Sequence, residues 1–266
     1  MAESTVYEFT GSDLKPLTQT PPSQQAVVVA DSWRVVEGQA VGLDHHLERF
    51  RRSVERVAPE AVPKLEGFIH AALSHIPSAG EWFPKLECVA GLDGYVFRFH
   101  HRVAPEALTT AVLATASHDP RTSPVIKGPD VDALMALRQK VAPAGATEAV
   151  ILTPEGHIAE GAYSSIIVWP PGSEDMWVVE DGIARIPSIT EGIITGIARS
   201  QNISVVGKKM RPDELDGHAV WVVSALHGVR EATSWVDGPQ LAPSSDLAHA
   251  WNRLLRETSA PHDAHQ

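Results

Sequence analysis

The sequence is poor in cysteine and has no long apolar run. Cys88 is the only cysteine among 266 residues, which excludes a disulfide framework and a zinc site built from several thiolates. No stretch reaches the roughly 18 apolar residues that a membrane-spanning helix needs. The first 25 residues lack the basic start and apolar core of a secretory signal. We therefore expect a cytoplasmic protein with no membrane partner.

Positive charge is also scarce. The chain carries 22 Lys and Arg residues against 33 Asp and Glu residues, a formal net charge of −11. A general nucleic-acid binder needs clustered positive charge facing the phosphates, so this balance argues against nucleic acid as a partner. A small anionic ligand stays compatible with it, because a few local donors can outweigh the net charge. The remaining composition, 43% hydrophobic and 21% charged, is typical of a globular protein.

The apolar runs divide the chain into two folded parts with polar ends. Residues 26–117 combine strand-like runs with two helical patterns and predict a small domain. A break rich in Pro, Ser and Asp at 118–124 is the expected interdomain loop, and 125–257 form a larger domain of mixed strands and helices. Residues 1–25 predict a flexible extension and 258–266 a polar tail. The predicted fold class is α+β.

Local patterns also predict where one helix begins and where two pairs of strands are joined by a hairpin turn. Asp44 is the expected N-cap of a helix whose apolar residues share one face. Alternating residues around Asp93-Gly94 predict one hairpin. The residues around Asp181-Gly182 predict another, with its return strand at 183–185.

Three segments after the predicted interdomain loop could carry chemistry. Ser188 and Glu191 form a capping box at a helix start, where N–H groups and the helix dipole can bind phosphate. Lys127 stands beside the predicted interdomain loop, where a partly desolvated amine can attack a carbonyl group. Glu160 interrupts an apolar strand, so its carboxylate needs a partner such as a protonated heterocyclic nitrogen. Taken singly, such residues are more often a helix cap, a surface lysine and a strand-end glutamate.

Together with two further segments, these resemble the class IV (fold type IV) pyridoxal-phosphate enzymes. That family includes branched-chain and D-amino-acid aminotransferases and aminodeoxychorismate lyase. Its H-x-x-R-[LF]-x-x-S helix is matched at 46–53, its I-K segment at 126–127, and its G-x-[IV]-x-E-G-x-x-S-N-[IL] strand at 156–166. Its L-P-G-I-T-R phosphate loop is similar to 186–191, and its N-[AS]-L-x-G-[VI]-x-P-V segment to 224–232.

The resemblance implies a fold, a cofactor and a set of site residues. The fold would have a small N-terminal α/β sandwich domain and a larger C-terminal mixed α/β barrel-like domain, in a homodimer that binds pyridoxal 5'-phosphate. Lys127 would be the catalytic Schiff-base residue, and Glu160 would keep the pyridine nitrogen protonated. The residues expected to bind the cofactor are Arg49, Lys127, Glu160, Ser164, Ser165, Ile189, Thr190, Ala225 and Leu226. No metal site is expected.

The implied activity is transfer of an amino group between an amino acid and a 2-oxo acid. One alternative is a lyase that releases pyruvate from aminodeoxychorismate, which the Ala225-Leu226-x-Gly228 loop favours. Another is a relative without catalytic activity, although the joint presence of Arg49, Lys127 and Glu160 argues against it. The transaminase and the lyase use the same residues, so the motifs do not separate them.

Several positions depart from the family pattern. Ser165 replaces an Asn, Ser188 a Gly and Glu191 the Arg that ends the phosphate loop. No aromatic residue follows Lys127 closely, where branched-chain enzymes have a tyrosine. The 78 residues from Arg49 to Lys127 are also fewer than those enzymes lead us to expect. A branched-chain substrate pocket is therefore not expected.

Overall fold

The computed structural model describes residues 4–18, 25–92 and 94–265. The chain forms two compact units. The first comprises Met1–Glu106, Ile126–Pro129 and Thr258–Gln266, and the second comprises Ala107–Val125 and Asp130–Glu257. A compact unit is not necessarily a domain that folds independently. The predicted domain bounds, with an interdomain loop at 118–124, therefore stay a prediction.

The described residues of the first unit form two antiparallel sheets and two α-helices. The strands of the larger sheet are β1 (Ser4–Phe9), β2 (Leu14–Pro16), β3 (Ala26–Ser32), β7 (Lys85–Gly91) and β8 (Gly94–Arg102), in the order β2-β1-β8-β7-β3. The smaller sheet contains β4 (Val35–Val36), β5 (Gln39–Val41), β6 (Glu81–Trp82) and β17 (Ser259–Pro261). The helices are α1 (Leu43–Val57) and α2 (Val62–Ser74).

The core of the first unit lies between its helices and the larger sheet. Phe50 from α1, Phe68 from α2 and Phe97 from β8 are all buried, and the rings of Phe68 and Phe97 stack with centroids 4.8 Å apart. Burying large aromatic side chains in this way supplies much of the hydrophobic stabilisation of a small unit. The hairpin predicted around Asp93-Gly94 is confirmed by the pairing of β7 with β8, although Asp93 itself lies outside the described residues.

The N-terminal segment is not the flexible extension that its composition predicted. β1 pairs with β8, and β2 pairs with β1. This pairing is favoured because alternate side chains of β1 face the core: Tyr7 packs against it and Phe9 is buried in it. The ring centroids of Phe9 and Phe68 are 5.9 Å apart. The polar stretch 19–24 lies outside the described residues.

The polar tail is likewise ordered over most of its length. β17 pairs with β5, and His262 beyond it is 2% exposed. The ring atoms Nδ1 and Nε2 of His262 lie 2.9 and 3.0 Å from the carbonyl oxygens of Gly38 and Ile76. Backbone pairing and this buried ring fix the segment, so its polar composition alone was misleading.

The second unit is built on one mixed sheet of eight strands. They are β9 (Thr110–Thr115), β10 (Glu148–Leu152), β11 (Ile158–Gly161), β12 (Ser165–Trp169), β13 (Met176–Val179), β14 (Val205–Lys208), β15 (Ala219–Ser224) and β16 (Gly228–Val236). Their order is β11-β10-β9-β16-β15-β12-β13-β14, in which β9 runs parallel to both of its neighbours. The helices are α3 (Val131–Val141), α4 (Ile189–Ser200) and α5 (Ser245–Glu257). The predicted α+β class is confirmed.

Two local predictions were wrong. The N-cap of α1 is Gly42, in a left-handed conformation with φ 64°, and Asp44 lies inside the first turn, where its charge suits the helix dipole. Residues 183–185 form no strand, because β13 pairs instead with β12 and β14. Across the described residues, none of the helices is both long and apolar enough to span a membrane.

Candidate active site

In the first unit, the end of β3 holds both cationic residues that the sequence placed in the site. The backbone N–H of Ala30 donates to the carbonyl oxygen of Lys127 at 2.7 Å. The next residue, Asp31, accepts hydrogen bonds from Nε and Nη2 of Arg49, both at 2.8 Å. Lys127 is half-buried. Two adjacent residues of one strand therefore fix the Lys127 backbone and the Arg49 guanidinium.

Gly128 makes the close approach of the Lys127 segment to β3 feasible. Its φ of +128° is a conformation that side chains rarely adopt, and a Cβ atom there would lie 2.5 Å from the nitrogen of Ala30. Such a contact with backbone cannot be relieved by rotating a side chain. The glycine after Lys127 is thus required by the packing of this segment.

Asp31 is the electrostatic centre of this cluster. Its carboxylate is completely buried, which alone would raise its pKa, but Arg49 and His46 outweigh burial and hold the pKa well below its usual range. His46 lies with Nδ1 2.8 Å from Asp31 Oδ1. Burial lowers the pKa of His46 despite Asp31, and the positive charges of Arg49 and Lys127 lower it further. A neutral ring that donates from Nδ1 fits this geometry.

In the second unit, Glu160 is a buried carboxylate near the end of β11. It is 5% exposed. Its Oε1 accepts a hydrogen bond from Arg121 Nη1 at 2.5 Å, and its Oε2 accepts a longer one from the backbone N–H of Ile186 at 3.3 Å. Burial raises the pKa of Glu160 to about 7, and Arg121 limits the rise. This carboxyl can therefore change its protonation state near neutral pH.

Arg121 was not among the residues predicted from the sequence. Asp119 binds it through two hydrogen bonds, from Nε at 2.8 Å and from Nη2 at 2.7 Å. Asp119 and Arg121 also line a cavity of about 470 Å³ within the second unit, together with His157, Glu180 and other residues. Arg121 is the only arginine in the polar segment 118–124, and this was the one available sequence signal for it.

The start of α4 presents the predicted phosphate-binding backbone. Ser188 is the N-cap, and its Oγ accepts a hydrogen bond from the N–H of Glu191 at 3.3 Å. Half of the predicted capping box forms, because the Glu191 carboxylate pairs instead with Arg185, at 2.7 and 2.9 Å. Arg185 thus neutralises the negative charge that replaces the family's arginine, close to Ile189 and Thr190.

The other predicted cofactor ligands lie along β12 and beyond β15. Ser165 opens β12 and pairs with Val223 of β15, and Ala225 and Leu226 form the turn that follows β15. Ser164 donates its hydroxyl to the buried carboxylate of Glu148 at 2.9 Å. Ser164 therefore already has a structural role, whereas Ala225 and Leu226 would contribute backbone groups.

Among the described residues, no three His, Cys, Asp or Glu side chains are placed to hold a metal ion. The candidate groups of the first unit are an amine, a guanidinium ion and a carboxylate, and those of the second unit are a carboxylate, guanidinium ions and a helix N-terminus.

A comparison with protein families matches residues 28–235 to amino-transferase class IV. The chain belongs to this family. The match covers more than half of the sequence and includes every residue from Arg49 to Leu226 discussed above. The comparison with curated proteins found no match.

Solved structures of class IV aminotransferases are similar to the chain in fold. A fold IV transaminase from Curtobacterium pusillum matches with a TM-score of 0.71 and 16% identity, over 95% of this chain and 97% of that one. A hypothetical aminotransferase from Mycobacterium tuberculosis, in its PLP-bound form, matches with a TM-score of 0.77 and 14% identity, over 96% of this chain and 98% of that one. The branched-chain aminotransferase of Thermoproteus uzoniensis with norvaline matches with a TM-score of 0.77 and 14% identity, over 97% of this chain and 99% of that one. The predicted fold type IV architecture is confirmed.

Proposed function

We propose that the protein is a pyridoxal-phosphate-dependent transaminase that moves an amino group between an amino acid and a 2-oxo acid. The observation that carries the proposal is Glu160, a buried carboxylate that can ionise near neutral pH, at the position where the family places the partner of the pyridine nitrogen. Relatives of the same fold are described as transaminases, and one of them was solved with the cofactor.

The groups present fit the chemistry of this cofactor. Its phosphate needs a cation and N–H donors. Arg49 would supply the cation, and the backbone N–H groups of Ile189 and Thr190 at the start of α4 would supply the donors. Its aldehyde needs a primary amine, the role proposed for Lys127. Its ring nitrogen needs a carboxylate, the role proposed for Glu160. The pairing of Glu191 with Arg185 offsets a negative charge in the first turn of α4 that would oppose a phosphate.

The bound cofactor would supply an electron-poor ring that accepts the electrons left when a C–H bond of the substrate breaks. The chain's own residues would hold and move protons. Lys127 Nζ would act as the base and then as the acid in the proton transfer. Glu160 would stabilise the proton on the ring nitrogen. Ser165 and the backbone groups of Ala225 and Leu226 would help to orient the ring and its phosphate.

A lyase that releases pyruvate from aminodeoxychorismate is the second candidate, because the turn at Ala225 and Leu226 resembles that of the lyase group. The two activities differ in their need for a second substrate. A transaminase requires a 2-oxo acid in every turnover, whereas the lyase forms pyruvate without one. Assays with and without an added 2-oxo acid separate the two.

The first experiment is an absorption spectrum of the purified protein between about 300 and 500 nm with added pyridoxal 5'-phosphate, beside a Lys127→Ala variant. A visible band in the wild type that is lost or shifted in the variant would support the proposal. Identical spectra for free cofactor and for cofactor with wild-type protein would overturn it.

A cytoplasmic location and a homodimer remain predictions, and the dimer is tested by light scattering.

A further inference from the structure

Three charged side chains of the second unit form a chain that ends at Glu160. The guanidinium of Arg121 binds Asp119 through Nε and Nη2. Its remaining terminal nitrogen, Nη1, donates both to Glu160 Oε1 and to the carbonyl oxygen of Ala184, the latter at 3.1 Å. Arg121 is therefore anchored by one carboxylate while it binds the other.

The two ends of this chain differ in exposure. The side chains of Arg121 and Glu160 are 4% and 7% exposed, whereas that of Asp119 is 32% exposed. A buried carboxyl group favours its neutral form unless a neighbouring cation stabilises the anion. Arg121 is the cation in contact with Glu160, and Arg185 acts in the same direction more weakly. Burial thus has the largest influence on the pKa of Glu160, and Arg121 is the group that opposes it most.

We propose that Arg121, anchored by Asp119, is a positioning residue that favours the ionised form of Glu160 and occupies its Oε1, so that Oε2 accepts the N–H of a protonated ring nitrogen. This inference rests on the proposed function. Oε2 receives one long hydrogen bond of 3.3 Å from Ile186, and a carboxylate oxygen can accept two. A neutral carboxyl would instead carry its own proton and could no longer stabilise a proton on the ring.

The test compares two ligands that differ only at the ring nitrogen. Binding of pyridoxal 5'-phosphate, and of its analogue with C–H in place of that nitrogen, is measured by tryptophan fluorescence quenching in cofactor-free protein. We expect the wild type to prefer the natural cofactor by about tenfold or more, as for a hydrogen bond to a charged group. Arg121→Met should lose most of this preference and Arg121→Lys should retain most of it.

The matched control is Arg138→Met. Arg138 also lies near a buried carboxylate of the second unit, at 3.9 Å from Glu148, so this variant should keep the full preference. An unchanged preference in Arg121→Met would overturn the role of Arg121 and leave the proposed function intact. A wild type that binds both ligands equally, or neither, would overturn the proposed role of Glu160.

A second measurement tests Arg121 without any cofactor. The carboxyl carbon of Glu160, labelled with ¹³C and assigned by comparison with Glu160→Gln, is titrated by NMR in the wild type, in Arg121→Met and in Asp119→Asn. Asp119 is partly exposed, so its substitution is the milder change should Arg121→Met fold poorly. A midpoint raised by about one pH unit or more in either variant supports the inference. Midpoints equal to that of the wild type overturn it, whatever the binding data show.

Discussion

Arg49 binds the buried carboxylate of Asp31 through two nitrogens, each 2.8 Å from a different carboxylate oxygen. The pair carries no net charge. Arg49 would therefore act on a phosphate as an oriented donor rather than as an additional positive charge. The orientation comes from Asp31, which sits beside the residue that holds the Lys127 backbone. The stability of β3 and the alignment of the proposed cofactor ligands are consequently linked.

Substituting Asp31 should destabilise the protein strongly. Asp31→Asn removes the buried carboxylate that pairs with Arg49, and breaking a buried pair costs about 3 kcal/mol or more. Unfolding in urea, followed by tryptophan fluorescence, measures the loss. The control is Glu66→Gln, which breaks the more exposed pair with Arg51 and should cost less than about 1 kcal/mol. Equal losses in the two variants would contradict the central role of Asp31.

The stability of the protein should depend on His46 in acid. Because burial lowers its pKa below the ordinary 6.5, the unfolded chain binds a proton that the folded chain resists. Its contribution to stability is complete above pH 6.5 and is lost as the pH falls. His46→Asn keeps an N–H donor near Asp31 and removes the titration. Between pH 7.5 and 5.5, the wild type should lose more of its free energy of unfolding than this variant, which lacks the titrating group.

The neighbouring residue provides the control for that comparison. His45 is exposed, so His45→Asn reports the effect of an asparagine at the start of α1. The pKa values of His100 and His101 are also lowered by burial, but these residues are common to all three proteins, so their contributions cancel. Parallel pH profiles for the wild type and His46→Asn would show that His46 does not titrate in this way.

Much of the fold could be predicted because several of its strands have a local sequence pattern that is typical of a strand. The runs Glu148–Leu152 and Ser165–Trp169 became strands with the predicted bounds, since continuous apolar residues between turns are typical of buried strands. The strand Ser4–Phe9 was missed because its polar surroundings outweighed a short alternation of aromatic residues. Its order comes from pairing with β8, far along the chain, which local composition does not report.

The supporting residues of the site could not be predicted for the same reason. Asp31 and Arg49 are 18 residues apart in sequence, and Arg121 and Glu160 are 39 apart. Ion pairs at such separations depend on how strands and loops meet, not on any periodicity. The proposed roles of Lys127 and Glu160 came from a family resemblance, whereas Asp31, Arg121 and Arg185, which hold or balance neighbouring groups, became visible only in the structure.

Gly128 should tolerate no side chain. In Gly128→Ala, the new Cβ would lie 2.5 Å from the nitrogen of Ala30 and 2.8 Å from the carbonyl carbon of Val29, so the hydrogen bond that fixes Lys127 must break. We expect a loss of about 1–3 kcal/mol in the free energy of unfolding. Gly196→Ala is the matched control: the glycine lies in α4 with open space around it, so alanine should stabilise by about 0.5–1 kcal/mol. Equal effects would contradict the close approach.

The ion pair between Arg185 and Glu191 should matter for phosphate binding. Arg185→Met leaves Glu191 as an uncompensated negative charge in the first turn of α4, where a phosphate is expected, and should weaken binding of pyridoxal 5'-phosphate about tenfold. The double variant Arg185→Met/Glu191→Gln removes that charge as well and should recover most of the affinity, which makes the pair suitable for a double-mutant cycle.

Pyridoxal without its phosphate is the matched ligand for this cycle. Because Glu191 would repel only the phosphate, the affinity for pyridoxal should stay nearly constant among the wild type, Arg185→Met and the double variant, when all are measured by fluorescence quenching. Parallel losses for both ligands in Arg185→Met would mean that the substitution disturbs the fold around α4 rather than the charge at its start. A loss confined to the phosphorylated ligand, and reversed in the double variant, would place the phosphate at this helix.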